Sequence, residues 1–394
     1  MAITTANPPA RLLDLTRLIS RAGRPFTGVD RVEFAYLDAL LEAGPLFGLI
    51  RSSLGYVLLD TSGCRQLRDK IHANSWGAPD RLSTLKRGID PIRARAESDL
   101  RRMCIARCLP LRLSRLLRKH LPRGVHYINT GHTNLTDRVL SALRLIEARV
   151  AVMIHDTIPL DFPEYQRPET IAPFAHFLTR ACTHADLILC NSHQTEQDIT
   201  RHAPGPLPQT LVAHLGVTTP TTGQAPKGRW TTPYFVALGT IEPRKNHQLL
   251  LDIWAQDPPG DLLICGQRGW ENQDVFDQLD AKPDRVYELN TLPDDQLFAL
   301  LKTSAGLLFP SFAEGYGLPP IEAAALGVPV LCNDLPIYRE ILGNIPVYAA
   351  VSDRYLWSTK IKQMAETHQS GLGGTKSFDP PSWDEHFKTV LTLI

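Results

Sequence analysis

Glu314 and Glu322, eight positions apart, bracket the most chemically loaded stretch of this 394-residue chain, Ser311-Phe-Ala-Glu314-Gly315-Tyr316-Gly317-Leu-Pro319-Pro320-Ile-Glu322-Ala-Ala-Ala-Leu-Gly327-Val-Pro329-Val330. Upstream, Gly306–Pro310 reads as a short buried strand, and Pro319-Pro320 pre-sets the backbone for a helix over about Ile321–Leu326. Glu314 then falls on the loop at the strand's carboxyl end, and Glu322 in the first helical turn. Gly315 and Gly317 let the backbone around Tyr316 approach a ligand closely, with N–H groups and a helix N-terminus aimed at it. Carboxylates for hydroxyls and backbone donors for phosphate suit a sugar nucleotide. Gly315-x-Gly317-x-x-Pro320 imitates a dinucleotide fingerprint, but proline stands where the third glycine would permit helix–strand packing, so a dehydrogenase is excluded.

A second group lies in Phe235-Val-Ala-Leu238-Gly239-Thr240-Ile-Glu242-Pro243-Arg244-Lys245-Asn246. A buried strand breaks at Gly239, and Asn246 is expected to cap the next helix. Arg244 and Lys245 are thereby held on a strand-to-helix loop. A departing pyrophosphate builds negative charge, and a preorganised pair of cations stabilises that charge most in the transition state. The strand Val150–Ile154 runs into His155-Asp156-Thr157-Ile158-Pro159, which places His155 at a strand's carboxyl end, with Asp156 expected to orient its ring.

The segment 311–330 resembles the E-x7-E signature of retaining glycosyltransferases of the GT-B architecture, family 4 type. The resemblance implies that Glu314 contacts hydroxyls of the transferred sugar and Glu322 the nucleotide ribose, with Arg244, Lys245 and the Gly315-Tyr316-Gly317 backbone on the diphosphate. That family also shows a Gly-Arg…Lys arrangement, but here Thr240 follows Gly239, so Arg244 must supply the guanidinium. The run from His155 to Pro168 resembles bacterial polysaccharide glycosyltransferases in which a histidine faces the reacting sugar. Gly266, in Leu262-Leu-Ile-Cys265-Gly266-Gln267-Arg268-Gly269, is implied to border the base. Thr27-Gly28-Val29-Asp30-Arg31 resembles the family's first glycine loop, beside phosphates and acceptor; the same residues also read as a turn before a helix. Gly131-His132-Thr133-Asn134 is a candidate for the acceptor side.

Net charge is +1, and charged and apolar contents are 21% and 43%, ordinary for a soluble globular protein. No run approaches the roughly 20 apolar residues of a membrane span, and the N-terminal residues lack a signal-peptide core. Seven scattered cysteines read as buried free thiols in a reducing cytoplasm, with Cys104-x3-Cys108 structural. Charge is segregated, however. Residues 64–123 carry 16 Lys and Arg against 5 Asp and Glu, while the rest carries 26 against 36. In Leu111–Leu121, Leu113, Leu116, Leu117 and Leu121 share one helical face, with Arg112, Arg115, Arg118 and Lys119 opposite. The basic segment 101–123 therefore reads either as a packed helix with a solvated face or as a dock for anionic phospholipid. No nucleic-acid motif accompanies the charge.

The elements that must position these residues are short apolar strands alternating with helical patterns, which predicts an α/β protein with mainly parallel sheets. Strands are expected at Leu12–Leu15, Leu46–Leu49, Tyr56–Leu59, Val125–Ile128, Val150–Ile154, Leu187–Cys190 and Thr210–Ala213, then at Tyr234–Leu238, Leu262–Cys265, Val286–Leu289, Gly306–Phe309 and Val330–Cys332. Helices are expected at Asp30–Leu41, Ser192–Thr200, His247–Trp254 and Asp294–Lys302. Thr218–Thr232 has a linker's composition. The reading is GT-B: two doubly wound Rossmann-like domains, 1–217 (with a basic helical insertion at about 64–123) and 233–394, facing across a cleft, and a final helix at about 382–394 crossing back.

Taken with the resemblance, this implies a retaining, metal-independent hexosyltransferase of surface polysaccharide assembly, cytoplasmic and peripheral on the inner membrane face. Its donor is a nucleotide sugar acting as substrate, its acceptor a glycan or lipid-linked glycan, and it needs no cofactor. No Asp-x-Asp occurs. Pro-Arg-Lys-Asn with His-Asp-x-Ile-Pro resembles mannosyl- and rhamnosyltransferases, which points to GDP-mannose. A nucleotide-sugar epimerase, a glycosyl phosphorylase and a non-catalytic sugar-nucleotide-binding subunit share the same features.

Overall fold

The computed structural model describes residues 9–84, 88–218, 221–256, 258–290, 292–371 and 378–394. Among them the strands form two sheets. The first holds β1 (Arg11–Asp14), β2 (Leu46–Ser52), β3 (Gly55–Leu59), β4 (Ala106–Cys108), β5 (His126–Asn129), β6 (Arg149–Ile154), β7 (Leu187–Cys190) and β8 (Gln209–Val212), in the order β4-β3-β2-β1-β5-β6-β7-β8. The second holds β9 (Tyr234–Leu238), β10 (Asp261–Cys265), β11 (Val286–Leu289), β12 (Gly306–Phe309), β13 (Val330–Cys332) and β14 (Val347–Tyr348), in the order β11-β10-β9-β12-β13-β14. The second sheet is wholly parallel, and in the first only β3 is antiparallel to its neighbours. Strands such as Leu187–Cys190 and Gly306–Phe309 are buried along their whole length, because helices cover both faces of a parallel sheet.

Each sheet reverses its strand order next to its first strand, β1 or β9, and such switch points open crevices at the carboxyl ends of strands. The two crevices face each other. Tyr316 of the second domain donates to the Leu215 carbonyl at 2.9 Å. Glu340 accepts from the backbone N–H groups of His193 (2.8 Å) and Gln194 (3.0 Å) at the start of helix His193–His202. The last helix, Trp383–Val390, returns to the first domain. There His386 Nδ1 donates to the His214 carbonyl (3.0 Å), so Nε2 is the acceptor for the Tyr36 hydroxyl at 2.9 Å.

Every strand expected from the sequence is present, with ends within three residues of those expected. The edge strands β4 and β14 were not foreseen, since three and two residues carry no readable alternation. The helix expected at Asp30–Leu41 starts earlier, at Gly28, because Thr27 and Asp30 form a reciprocal capping box. The helix after Gly317 begins at Leu318, so Glu322 is its fifth residue rather than part of the first turn. Leu113–His120 is helical with its leucines buried, after a 3-10 turn at Pro110–Arg112. Asn246 does not cap the next helix through its side chain: it adopts φ 53°, and its amide donates to the Pro310 carbonyl at 3.2 Å. All seven cysteines are free, but Cys104 and Cys108 are half-buried rather than buried.

Candidate active site

Strand β12 ends in the loop that carries Glu314, and β9 ends in the loop that carries Arg244 and Lys245. Because the two strands are paired, their loops meet. The Arg244 carbonyl accepts from Phe312 N–H at 2.9 Å, and the Arg244 guanidinium donates to the Ala313 carbonyl at 2.6 Å. Glu314 sits between the cations, with Oε1 at 2.5 Å from Lys245 Nζ and 2.9 Å from Arg244 Nη1. Burial alone would raise the Glu314 carboxyl, but the adjacent Arg244 and Lys245 outweigh it and hold the group down at about 2. Burial lowers Lys245, against the pull of Glu314. Its ammonium also lies 4.5 Å from the Phe309 ring centroid. Arg244 is fixed on its other side by Glu242 at 2.8 Å. The two cations are therefore held in place before any ligand arrives.

Glycine is required here for two different reasons. Gly317 has φ 84°, and a Cβ on it would meet the Tyr338 ring at 2.5 Å. At Gly266 a Cβ would fall 1.9 Å from the Gly239 carbonyl oxygen, so the loops after β9 and β10 pack backbone to backbone. Gly315 lies against the other domain, where an added Cβ would be 2.9 Å from Asp156. Gly28 also faces across the cleft, towards Leu318. The Tyr316 side chain is buried as a clasp onto Leu215, so only its backbone is free to meet a ligand.

Glu322 is buried, and burial raises its carboxyl. Its Oε1 accepts from Arg31 Nη1 at 2.8 Å, while Arg31 Nη2 reaches Asp294 at 3.0 Å. This bridge between domains joins the helix that begins at Gly28 to Glu322 across 291 positions, which no local spacing reveals. Arg268 is tied to Glu288 and Asp280, both at 2.7 Å.

His155 lies across the cleft from Glu314 at the end of β6. Asp156 does not orient its ring. The Thr130 carbonyl does, at 2.7 Å from Nε2, and since a carbonyl only accepts, Nε2 carries the proton and Nδ1 keeps a lone pair. Burial depresses His155 to about 4, so the ring is neutral at pH 7. Its backbone N–H donates to His132 Nε2 at 3.2 Å. Asp156 instead turns back to accept from Ile158 N–H at 3.1 Å, with burial raising its carboxyl. Beside these groups a cavity of about 270 Å³ opens between the domains, bounded by His132, Asp156, Gln166, Glu242, Arg244 and Trp270 among others.

Two Rossmann-like domains with a charged cleft between facing strand ends define the GT-B architecture. A solved structure of Alr3699/HepE from Anabaena in complex with UDP-glucose superposes with a TM-score of 0.62 over 98% of this chain and 94% of that one, at 14% identity. Sucrose-phosphate synthase from Thermosynechococcus elongatus gives a TM-score of 0.50 over 72% of each chain, at 17% identity. In sequence, residues 224–354 match the family of glycosyl transferases group 1. The serotype-specific mannosyltransferase WbdA of Escherichia coli is 30% identical over 227 residues, 51% of this chain but 28% of that protein. The O-antigen chain mannosyltransferase B of Escherichia coli is 28% identical over 261 residues, 60% of this chain and 67% of that protein. The matched region thus spans only about a quarter of WbdA.

Proposed function

We propose that this chain is a retaining glycosyltransferase, of the family 4 type, that moves a sugar from a nucleotide-sugar donor to a glycan or lipid-linked acceptor in surface polysaccharide assembly. The observation that carries the reading is Glu314 held between Arg244 and Lys245 at the floor of the cleft, beside Gly315–Gly317 and the start of helix Leu318–Ala325. Glu314 would accept from hydroxyls of the donor sugar, while Arg244, Lys245 and the glycine backbone would hold the diphosphate. Glu322 would take the ribose by exchanging its bond to Arg31. Two side-chain cations at the diphosphate would supply the charge otherwise brought by a metal ion.

In this mechanism the bond from the anomeric carbon to the diphosphate oxygen breaks. The acceptor hydroxyl oxygen then bonds to that carbon from the same face, and its proton passes to the leaving phosphate oxygen. Neutral His155 would present a lone pair to the developing positive charge on the sugar ring. The named mannosyltransferase relatives favour mannose, and the donor proposed with it, from the sequence resemblance alone, is GDP-mannose.

The reading includes a membrane surface. Among the described residues, Arg107, Arg112, Arg115, Arg118 and Lys119 have no ion-pair partner, unlike Arg93, Arg101 and Arg102, which pair with Glu97, Asp80 and Asp99. Ile105, Leu109 and Leu111 project among them, Leu111 with 88% of its surface exposed. Strand β4 runs parallel to β2, so Leu109 and Leu111 emerge on the side of the sheet where the cleft opens. An anionic inner-membrane face would meet this patch and bring a lipid-linked acceptor to the cleft. Among the described residues no helix is long and apolar enough to cross a membrane.

The test is thermal unfolding of the purified protein with GDP, UDP, dTDP, ADP and CMP and their sugar conjugates. One nucleoside diphosphate and its sugar form should raise Tm by a few degrees, corresponding to about 2.7 kcal/mol at 100 times Kd. No shift with any of them would remove the sugar-nucleotide reading.

A further inference from the structure

The 270 Å³ cavity shares Arg244 with the groups assigned to the donor and extends beyond them. Arg244 forms part of its wall and also contacts Glu314, and Asp156, on the opposite wall, lies against Gly315. The cavity therefore starts where the donor sugar would end. Its walls come from both domains: Gln166 and Asp156 from the first, Glu242 and Trp270 from the loops after β9 and β10.

Its polar groups are incompletely used. Asp156 spends Oδ1 on the Ile158 N–H and Glu242 spends Oε1 on Arg244, and among the described residues neither carboxylate's second oxygen has a hydrogen-bond partner. The Gln166 amide makes no side-chain hydrogen bond there either; only its backbone N–H is engaged, by Pro163. Glu242 and Gln166 thus line the cavity with a carboxylate oxygen and an amide to spare, whereas the second Asp156 oxygen lies against Gly315. Trp270 provides an aromatic surface beside them and is held in place by the Arg167 guanidinium, 5.9 Å from its ring. A carboxylate and an amide for hydroxyls, with an aromatic surface for an apolar C–H face, match a sugar ring.

We infer that this cavity holds the terminal sugar of the acceptor, with Glu242 and Gln166 binding its hydroxyls, Asp156 at its edge beside Gly315, and Trp270 covering one face. The inference rests on the glycosyltransferase reading and adds to it an acceptor-sugar subsite whose selectivity comes from both domains.

The experiment measures transfer from GDP-mannose to methyl mannoside, methyl rhamnoside and methyl N-acetylglucosaminide by the full chain and by Trp270→Ala and Gln166→Ala. Nucleotide Kd and thermal unfolding are measured on the same samples. At least one glycoside should be accepted, and its KM should rise about tenfold or more in each folded variant, with GDP affinity unchanged within twofold. An unchanged acceptor KM in both variants overturns the subsite. A wild type that binds GDP yet accepts none of the three overturns it as well. A wild type that binds no sugar nucleotide fails at the underlying reading instead.

Discussion

Glu314 stays ionised although it is buried, because two cations lie within 3 Å of one of its oxygens. With the folded carboxyl at about 2, its ion pairs stabilise the fold fully above the ordinary carboxylate range near 4.5, and that contribution is lost as pH falls towards 2. The same arrangement makes Lys245 the most informative residue to change. Lys245→Met keeps the length of the stem against Phe309 and removes the charge, leaving Arg244 to hold Glu314. If Lys245 stabilises a leaving diphosphate, kcat should fall about a hundredfold or more while the unfolding transition stays cooperative. Steady-state kinetics within threefold of wild type would remove Lys245 from the chemistry. Arg244 and Lys245 were legible as a pair from their types and spacing. Their partner was not, since Glu314 lies 69 positions away and only the pairing of β9 with β12 brings it there.

Helix Leu113–His120 and edge strand β4 show the same limit at the level of elements. Helical periodicity placed Leu113, Leu116 and Leu117 inward and the arginines outward, and the structure agrees. Periodicity could not separate paired from unpaired cations along the basic segment. Arg101 is consumed by Asp80 through packing of helix Pro91–Met103 and Arg102 by Asp99 within that helix, whereas Arg115 and Arg118 are not. If the unpaired set meets a membrane, the protein should sediment with phosphatidylglycerol vesicles and not with phosphatidylcholine. Replacing Arg115 and Arg118 by Ser should weaken binding roughly thirtyfold, at about 1 kcal/mol per charge. Equal sedimentation of wild type and variant would assign this face to solvent.

The whole molecule is closed by groups that sit far apart in the sequence: Arg31 on Glu322, Tyr316 on Leu215, and Tyr36 on His386 of the returning helix. Burial depresses His386 to about 4, against about 6.5 in an unfolded chain. Its contribution to stability is therefore present above about pH 6.5 and declines as pH falls towards 4, because the unfolded chain takes up the proton first. Glu33, whose carboxyl burial raises well above its ordinary value, works in the opposite sense, so the total slope is not diagnostic. The comparison that decides is wild type against Tyr36→Phe/His386→Phe, which removes both partners of the bond. Between pH 6.5 and 5 the wild type should lose up to about 1.4 kcal/mol per pH unit more than the variant in urea unfolding. Parallel pH profiles would show that His386 is not buried in its neutral form.

The sequence by itself determined every strand but the edge strands β4 and β14, the two-domain layout, the loops that carry Glu314, Arg244, Lys245 and His155, and the glycines at 315 and 317. These follow from local rules: burial of apolar runs, proline at helix starts, and glycine where the backbone comes close to a neighbour or adopts positive φ. Only the tertiary structure decided what each side chain meets. Thr130 rather than Asp156 holds His155, Arg31 occupies Glu322, the Tyr316 ring is a clasp, and Gln166 and Trp270 share one cavity. Such contacts join strand ends and domains that are distant in the chain. Strand order and domain closure set them, and no short-range spacing encodes either one.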